Sequence, residues 1–261
     1  MIANYHTHTE RCGHAQGTER EYIERAIANG IKIMGFSDHA PFRFPNGYES
    51  HYRVPTALAE DYINTLKSLK EEYKDKIKIY IGFEMEYYPA FFKEMLEYVK
   101  GLGAEYLILG QHFLNNEIGA DCNAKPKHTS LGRGFTKEDM TEYADCIIAG
   151  IKSGEFSYVA HPDVMYYDTD TEEYETQMRR ICKASQKYNV PLEINMLGIR
   201  GDRHYPNEAF WKIAGEEGCG AILGFDAHTV MDAFDLQSQK RAMEIVEKYN
   251  LKLIDTLPNL I

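Results

Sequence analysis

IANYHTHTERCGH, residues 2–14, is a short apolar run that ends in two histidines one residue apart. The same construction recurs along the chain. IKIMGFSDH (31–39), IKIYIGFE (77–84), EYLILGQH (105–112), FSYVAH (156–161) and GAILGFDAH (220–228) each pass from apolar residues into a His or a carboxylate. A seventh run, VPLEIN, covers 190–195. Several of these runs are continuous rather than alternating, the pattern of strands buried on both faces of a parallel sheet.

Between the runs lie amphipathic stretches with helical spacing, at 18–29, 55–73, 90–101, 136–152, 171–188, 206–217 and 235–249. TEREYIERAIAN (18–29) opens on Thr18, carries Glu21 three places later and stops before Gly30, a capping box and a glycine stop. Thr136 is the expected N-cap of 136–152. Seven strands alternating with seven helices imply an α/β fold with a parallel sheet and crossover helices. The polar strand ends decide how that sheet is arranged. In a closed βα barrel the C-terminal strand ends converge on one face, where active sites form. In an open sheet they would lie along a line and could not all meet. A TIM-like barrel is therefore expected, with its chemistry at the C-terminal ends of the strands. No internal repeat, low-complexity tract or Ser/Gly linker marks a boundary, so one domain is expected over 1–261.

Composition narrows the partners. Lys+Arg 29 against Asp+Glu 40 gives a net charge of −11, which argues against a nucleic-acid binder and against an anionic membrane surface. A small phosphorylated molecule is compatible, because bound metal ions invert the local field. The five cysteines (Cys12, Cys122, Cys146, Cys182, Cys219) are odd in number and include no C-x-x-C pair, which points to a reducing cytoplasm rather than a disulfide framework. The N-terminus has neither the basic nor the apolar region of a signal peptide, and no apolar run approaches the ~20 residues needed to span a bilayer.

His6-Thr-His8 places two imidazoles at i and i+2, on the same side of an extended chain, where they can chelate one ion. Asp226 and His228 share that spacing and can serve one ion or two neighbours. Imidazole suits Zn, Mn or Fe, and a carboxylate can bridge two ions. A lone H-x-H says little, whereas the ordered set is hard to explain as packing. The candidate metal ligands are His6, His8, His14, His39, Glu84, His112, His161, Asp226 and His228. Cys12 is read as a partly buried thiol, and Asp38 as a carboxylate that orients a ligand histidine. His51 and His128 are read as loop residues. Tyr87 and Tyr88 either wall the pocket or pack under it. Residues 113–135, with Gly119, Gly132, Gly134 and little periodicity, are read as a candidate lid.

The N-terminal stretch together with GFSDHAP (35–41), GFEMEY (82–87), LGQHF (109–113), VAHPD (159–163) and GFDAH (224–228) resembles the polymerase and histidinol phosphatase (PHP) superfamily. Within it the sequence is similar to the monofunctional histidinol-phosphate phosphatases, along essentially the whole chain. The resemblance implies a distorted (β/α)7 barrel with three divalent ions. His6, His8, Glu84 and Asp226 would hold one ion. Glu84 would bridge to a second, held by His112 and His161, and His14, His39 and His228 would hold the third. The implied reaction is hydrolysis of L-histidinol phosphate in histidine biosynthesis, by attack of a metal-bound hydroxide on phosphorus. Glu84, Asp226 and His228 are the catalytic candidates, the last two for protonating the leaving oxygen. Phosphate contacts are expected from arginine, whose fork matches two oxygens. Arg200 and Arg203 in GIRGDRHYP (198–206), with His204 beside them, are the candidates, and Arg43 is a further one. Asp163 and Glu193 are candidate partners for the ammonium or imidazole of the substrate. The alternative is another small phosphomonoester, such as a nucleotide or a sugar phosphate.

Overall fold

The structure, a computed structural model, describes residues 1–118 and 126–257. Eight parallel strands form one curled sheet whose spatial order follows the chain. They are β1 (Ala3–Asn4), β2 (Ile33–Phe36), β3 (Lys78–Met85), β4 (Tyr106–Leu109), β5 (Tyr158–Val159), β6 (Leu192–Asn195), β7 (Gly220–Gly224) and β8 (Lys252–Leu253). The helices are α1 (Glu19–Ala28), α2 (Ala59–Glu72), α3 (Phe92–Leu102), α4 (Lys137–Ser153), α5 (Glu172–Tyr188), α6 (Met196–Arg200), α7 (Glu208–Glu216) and α8 (Leu236–Lys248). The first seven strands are the seven apolar runs, and every helix except α6 lies within an expected amphipathic stretch or one residue beyond it. Capping boxes at Thr18/Glu21 and Thr136/Asp139 start α1 and α4. Among these sheet strands and α-helices, two are additional. β8 is two residues long, too short to show a period. α6 is a single short helix set directly on β6, begun by the Asn195 side chain, which accepts from Gly198 N–H.

β7 changes neighbours along its length, and this closes the barrel. Gly220 and Ala221 pair with β8. Further on, Thr7 bridges Ala227 in parallel, His8 N–H donates to the Ala227 carbonyl at 2.9 Å, and Ala227 N–H donates to the His6 carbonyl at 3.3 Å. Seven strands thus meet as a distorted barrel at the C-terminal rim, while β8 lies outside the ring. Between these points Asn4 spans the seam. Its Oδ1 accepts Phe225 N–H at 2.9 Å and its Nδ2 donates to Thr7 Oγ1 at 2.8 Å.

Strand parity separates two apolar clusters. Met34, Phe36, Leu107, Leu109, Leu192, Ile194 and Leu223 face the surrounding helices in the large core. Tyr5, Tyr106, Ile108, Tyr158 and Ile222 form a second cluster on the other face, inside the barrel. Tyr106 runs across that interior, donating to the carbonyls of Tyr5 at 2.7 Å and Phe36 at 3.0 Å. The interior is a packed plug rather than a pore, as expected for this architecture. One step further along β3 and β4 the same inward face carries Glu84 and Gly110, so the plug is the floor of the polar cluster described next.

Residues 119–125 of the segment read as a lid lie outside the described residues. Its flanks pair, Phe113–Leu114 running antiparallel to Lys127–His128. Among the described residues no helix is long and apolar enough to cross a membrane.

Candidate metal centre

The strand ends bring His6, His8, Glu84 and Asp226 together. His6 Nε2 and His8 Nε2 are 3.1 Å apart. Each stands 3.4–3.5 Å from both Glu84 Oε2 and Asp226 Oδ1. Four donors placed about 2.0–2.2 Å from one cation in a tetrahedral arrangement stand roughly 3.3–3.5 Å apart, so this set fits one divalent ion. Asp226 Oδ1 is buried with no hydrogen-bond partner. An orphaned carboxylate oxygen facing two imidazole nitrogens is costly unless a cation satisfies it.

The other oxygen of Glu84 faces a second group. Oε1 lies 2.8 Å from His161 Nε2 and 3.4 Å from His112 Nε2. Glu84 therefore presents one oxygen to each of two histidine sets, the geometry a bridging carboxylate needs. A third pair, His14 Nε2 and His228 Nε2, is 3.1 Å apart. His39 stands between the groups. Its ring is 5.3 Å from that of His14, while its Nδ1 is 3.3 Å from Glu84 Oε2.

Local backbone aims these side chains. His161 and Asp226 take positive φ, 30° and 47°, a strained conformation for non-glycine residues and one that turns the chain sharply at the strand end. Two glycines make room. A Cβ on Gly110 would lie 1.9 Å from Glu84 Oε1, and one on Gly224 would lie 1.7 Å from Glu193 Oε1.

Around the ligand candidates, further carboxylates fix the imidazoles. Glu193 Oε1 is 2.8 Å from His6 Nδ1, which leaves Nε2 for the centre. Its other oxygen accepts His161 N–H at 3.1 Å. Asp38 accepts Thr9 N–H at 2.7 Å, and its Oδ1 is 3.7 Å from His8 Nδ1. Glu86 Oε1 is 2.9 Å from His112 Nδ1. Glu86 in turn pairs with Arg53, which is itself buried and also bound to Glu117 and to the Ala40 carbonyl. The sequence reading missed Arg53 and Glu86. GFEMEY did hold a clue, since Glu84 and Glu86 share one side of an extended chain.

The electrostatics fit a cation site. Burial opposes a charge on His6, but Asp226, Glu193 and Glu84 outweigh it and push the ring up to about 10. Burial would raise Glu84 and Asp226, yet the surrounding imidazoles hold both well below the usual carboxylate range. His14 is driven down to about 4 by burial and by His8 and His228, and burial holds His39 well below its ordinary value. Ionised carboxylates ligate metal directly, whereas His6, held as an imidazolium by its three carboxylates, would give up that proton to a bound cation.

A cavity of about 420 Å³ opens over this cluster. Besides the ligand candidates it is lined by Tyr52, His128, Ser130, Leu131, Arg203 and Tyr205, among others. Of the four candidate substrate contacts, Arg203 lines this cavity. Arg200 does not: it donates to the carbonyls of Phe225 at 2.9 Å and Asp226 at 3.1 Å and pairs with Asp232, bracing the turn that carries Asp226. His204 Nε2 is 2.8 Å from the Val164 carbonyl and the ring faces a separate cavity. Arg43 is largely exposed and paired with Glu49. Asp163 is buried, accepts Asn207 N–H at 2.7 Å, and is pushed up to about 7 by burial. Glu193 serves His6 and His161, as described above. Cys12 Sγ donates to the Thr9 carbonyl. Tyr88 is buried beside Arg53, and Tyr87 packs at a tilt against Phe92, so neither walls the cavity. His128 does wall it, and burial and His112 push it down to about 4.

The Glu86 contact carries a prediction. Glu86→Gln is expected to weaken metal retention about 10–100-fold, because it removes the anion that holds His112 Nδ1–H. Chelator competition followed by metal analysis reads this directly, and unchanged retention would show that Glu86 acts only on packing.

Fold and site together define a βα-barrel metallohydrolase. The PHP domain family model matches residues 4–196, most of the chain, and the protein belongs to the PHP family. Within that family it is similar to histidinol-phosphatases. A probable histidinol-phosphatase of Deinococcus radiodurans is 25% identical over 236 residues, covering 87% of this chain and 86% of the relative. The histidinol-phosphatase of Bacillus subtilis is 32% identical over 132 residues, 48% of either chain. The fold matches a crystal structure of histidinol phosphate phosphatase from Lactococcus lactis, complexed with zinc, L-histidinol and phosphate. That match has a TM-score of 0.73 at 22% identity and covers 98% of this chain and 96% of the other. Asp226 and His228 lie beyond the segment matched by the family model, and reach the cluster through the closure at Ala227.

Proposed function

We propose that the protein hydrolyses L-histidinol phosphate to L-histidinol and phosphate at a centre of three divalent ions, Zn, Mn or Fe. It is a metal-dependent phosphatase of the PHP type, and the relative from Deinococcus, similar over most of both chains, supports the substrate. The observation that carries the reading is Glu84, whose two oxygens face two separate histidine sets on the floor of one cavity.

His6, His8, Glu84 and Asp226 would hold one ion, Glu84, His112 and His161 the second, and His14, His39 and His228 the third. Bound there, the ions supply a nucleophile active at neutral pH and neutralise charge on the phosphoryl oxygens. The chain's own part is to hold and orient. Glu193 and Glu86 fix the rings of His6 and His112, and Arg200 braces the turn bearing Asp226. Arg203, from the cavity wall, would bind phosphoryl oxygens. His228 Nδ1 lies 3.2 Å from the Asp226 carbonyl, which would leave Nε2 for the third ion. The four described cysteines, Cys12, Cys146, Cys182 and Cys219, are free thiols, which supports a cytoplasmic setting; Cys122 lies outside the described residues.

The test is a substrate panel with metal supplied. Histidinol phosphate is expected to exceed p-nitrophenyl phosphate, nucleotides and sugar phosphates in kcat/KM by about 100-fold or more, as for sites that hydrogen-bond the whole substrate. Equal efficiency on histidinol phosphate and p-nitrophenyl phosphate would overturn the assignment.

A further inference from the structure

His128 falls outside the ligand set, yet the backbone delivers it to the metal cavity. His128 pairs with Phe113 in the short antiparallel ladder. Thr129 ties the same corner to the preceding strand end: its N–H donates to the His112 carbonyl at 2.9 Å and its Oγ1 to the Gln111 carbonyl at 3.0 Å. The ring is packed edge-on against Phe113, with centroids 4.8 Å apart, and lies 6.3 Å from the ring of His112.

Its tautomer is legible. Leu131 N–H donates to His128 Nδ1 at 3.4 Å, and Ser130 Oγ is 3.3 Å from the same atom. A backbone N–H only donates, so Nδ1 is unprotonated, the ring is neutral and its hydrogen is on Nε2. Among the described residues no group hydrogen-bonds Nε2. A neutral donor held on the cavity wall suits an anionic oxygen beside cations, where an imidazolium would be repelled by them.

Resting on the phosphomonoester reading above, we propose that His128 contacts the substrate, its Nε2–H donating to a phosphoryl oxygen held beside Glu84, His112 and His161. The phosphoryl group rather than the substrate's imidazole is the partner, because His128 flanks His112, on the side of the cavity where Glu84 Oε1 gathers His112 and His161.

The experiment compares His128→Ala and His128→Gln, whose amide nitrogen reaches roughly where Nε2 stood. Inorganic phosphate is titrated calorimetrically into the metal-loaded protein, and metal per chain is measured in each variant. His128→Ala is expected to weaken phosphate binding about tenfold or more, and His128→Gln to recover most of that loss. The kinetic defect of His128→Ala should be equal on histidinol phosphate and p-nitrophenyl phosphate, with metal content unchanged. Unaltered phosphate affinity in His128→Ala overturns the proposal. So does loss of metal from both variants, which would make His128 part of the metal scaffold, or a defect confined to histidinol phosphate, which would place it on the imidazole. Failure of the wild-type protein on histidinol phosphate would instead overturn the substrate assignment, since phosphate titration reads His128 without that substrate.

Discussion

Glu84→Gln is expected to lower kcat at least about 10³-fold with metal supplied in excess, more than is lost on removing a single donor to the reacting oxygens. The substitution is nearly isosteric, so the barrel has no steric reason to rearrange. What changes is ligand chemistry. In the native chain Oε2 faces His6 and His8, and Oε1 faces His161 and His112. Glutamine offers one weaker oxygen donor and an NH2 group that cannot ligate a cation. One of the two sets then loses its shared anion, and the remaining charge would no longer offset two cations held close together. Metal analysis should show fewer ions per chain, and thermal unfolding without added metal should show a cooperative, folded protein. Full activity in Glu84→Gln would sink the bridged centre.

The sequence exposed this cluster of side chains because barrel topology writes it as a repeated pattern. Each ligand candidate except His14 is tied to the end of an apolar run, and a parallel barrel turns all such ends to one face. Strand and helix ranges were legible for the same reason: the period changes from continuous apolar to amphipathic at every crossover. What was not legible depends on rotation and on contacts between distant residues. Arg200 and Arg203 are three residues apart in one loop, yet the short helix α6 turns Arg200 onto the carbonyls of 225 and 226 and leaves Arg203 on the cavity wall. Arg53 looks like any loop arginine until the fold buries it between Glu86 and Glu117. His128 reads as a loop residue because its two-residue strand has no period to detect. Asp163 and Glu193 sit at strand ends as read, but burial and pairing give them structural neighbours instead of an open wall.

Gly110 was visible in LGQH without a reason, and the structure supplies one that predicts the second large effect. The residue follows β4, on the inward face, where a Cβ would lie 1.9 Å from Glu84 Oε1, 2.6 Å from Cδ and 2.8 Å from Cγ. Real atoms do not approach so closely, so either the strand end or the carboxylate must move by about an ångström or more. Glu84 is buried and enclosed by His6, His8, His39, His112 and His161, while Gly110 N–H is tied to the Met85 carbonyl at 3.3 Å. The carboxylate is the softer element, since side-chain torsions yield more readily than a ladder of backbone hydrogen bonds. A misplacement of about 1 Å in a preorganised site costs roughly 10²-fold in rate, and here the misplaced group would serve two ions. Gly110→Ala is therefore expected to lower kcat about 10²–10³-fold and to reduce bound metal, while the far-ultraviolet circular dichroism stays native. Gly101→Ala is the control: a Cβ there meets nothing within 4 Å, and alanine suits the last turn of α3 better than glycine. That variant should keep full activity and unfold at an equal or higher temperature. If Gly110→Ala behaves like Gly101→Ala, then the position of the Glu84 carboxylate is not what the strand-end glycine protects.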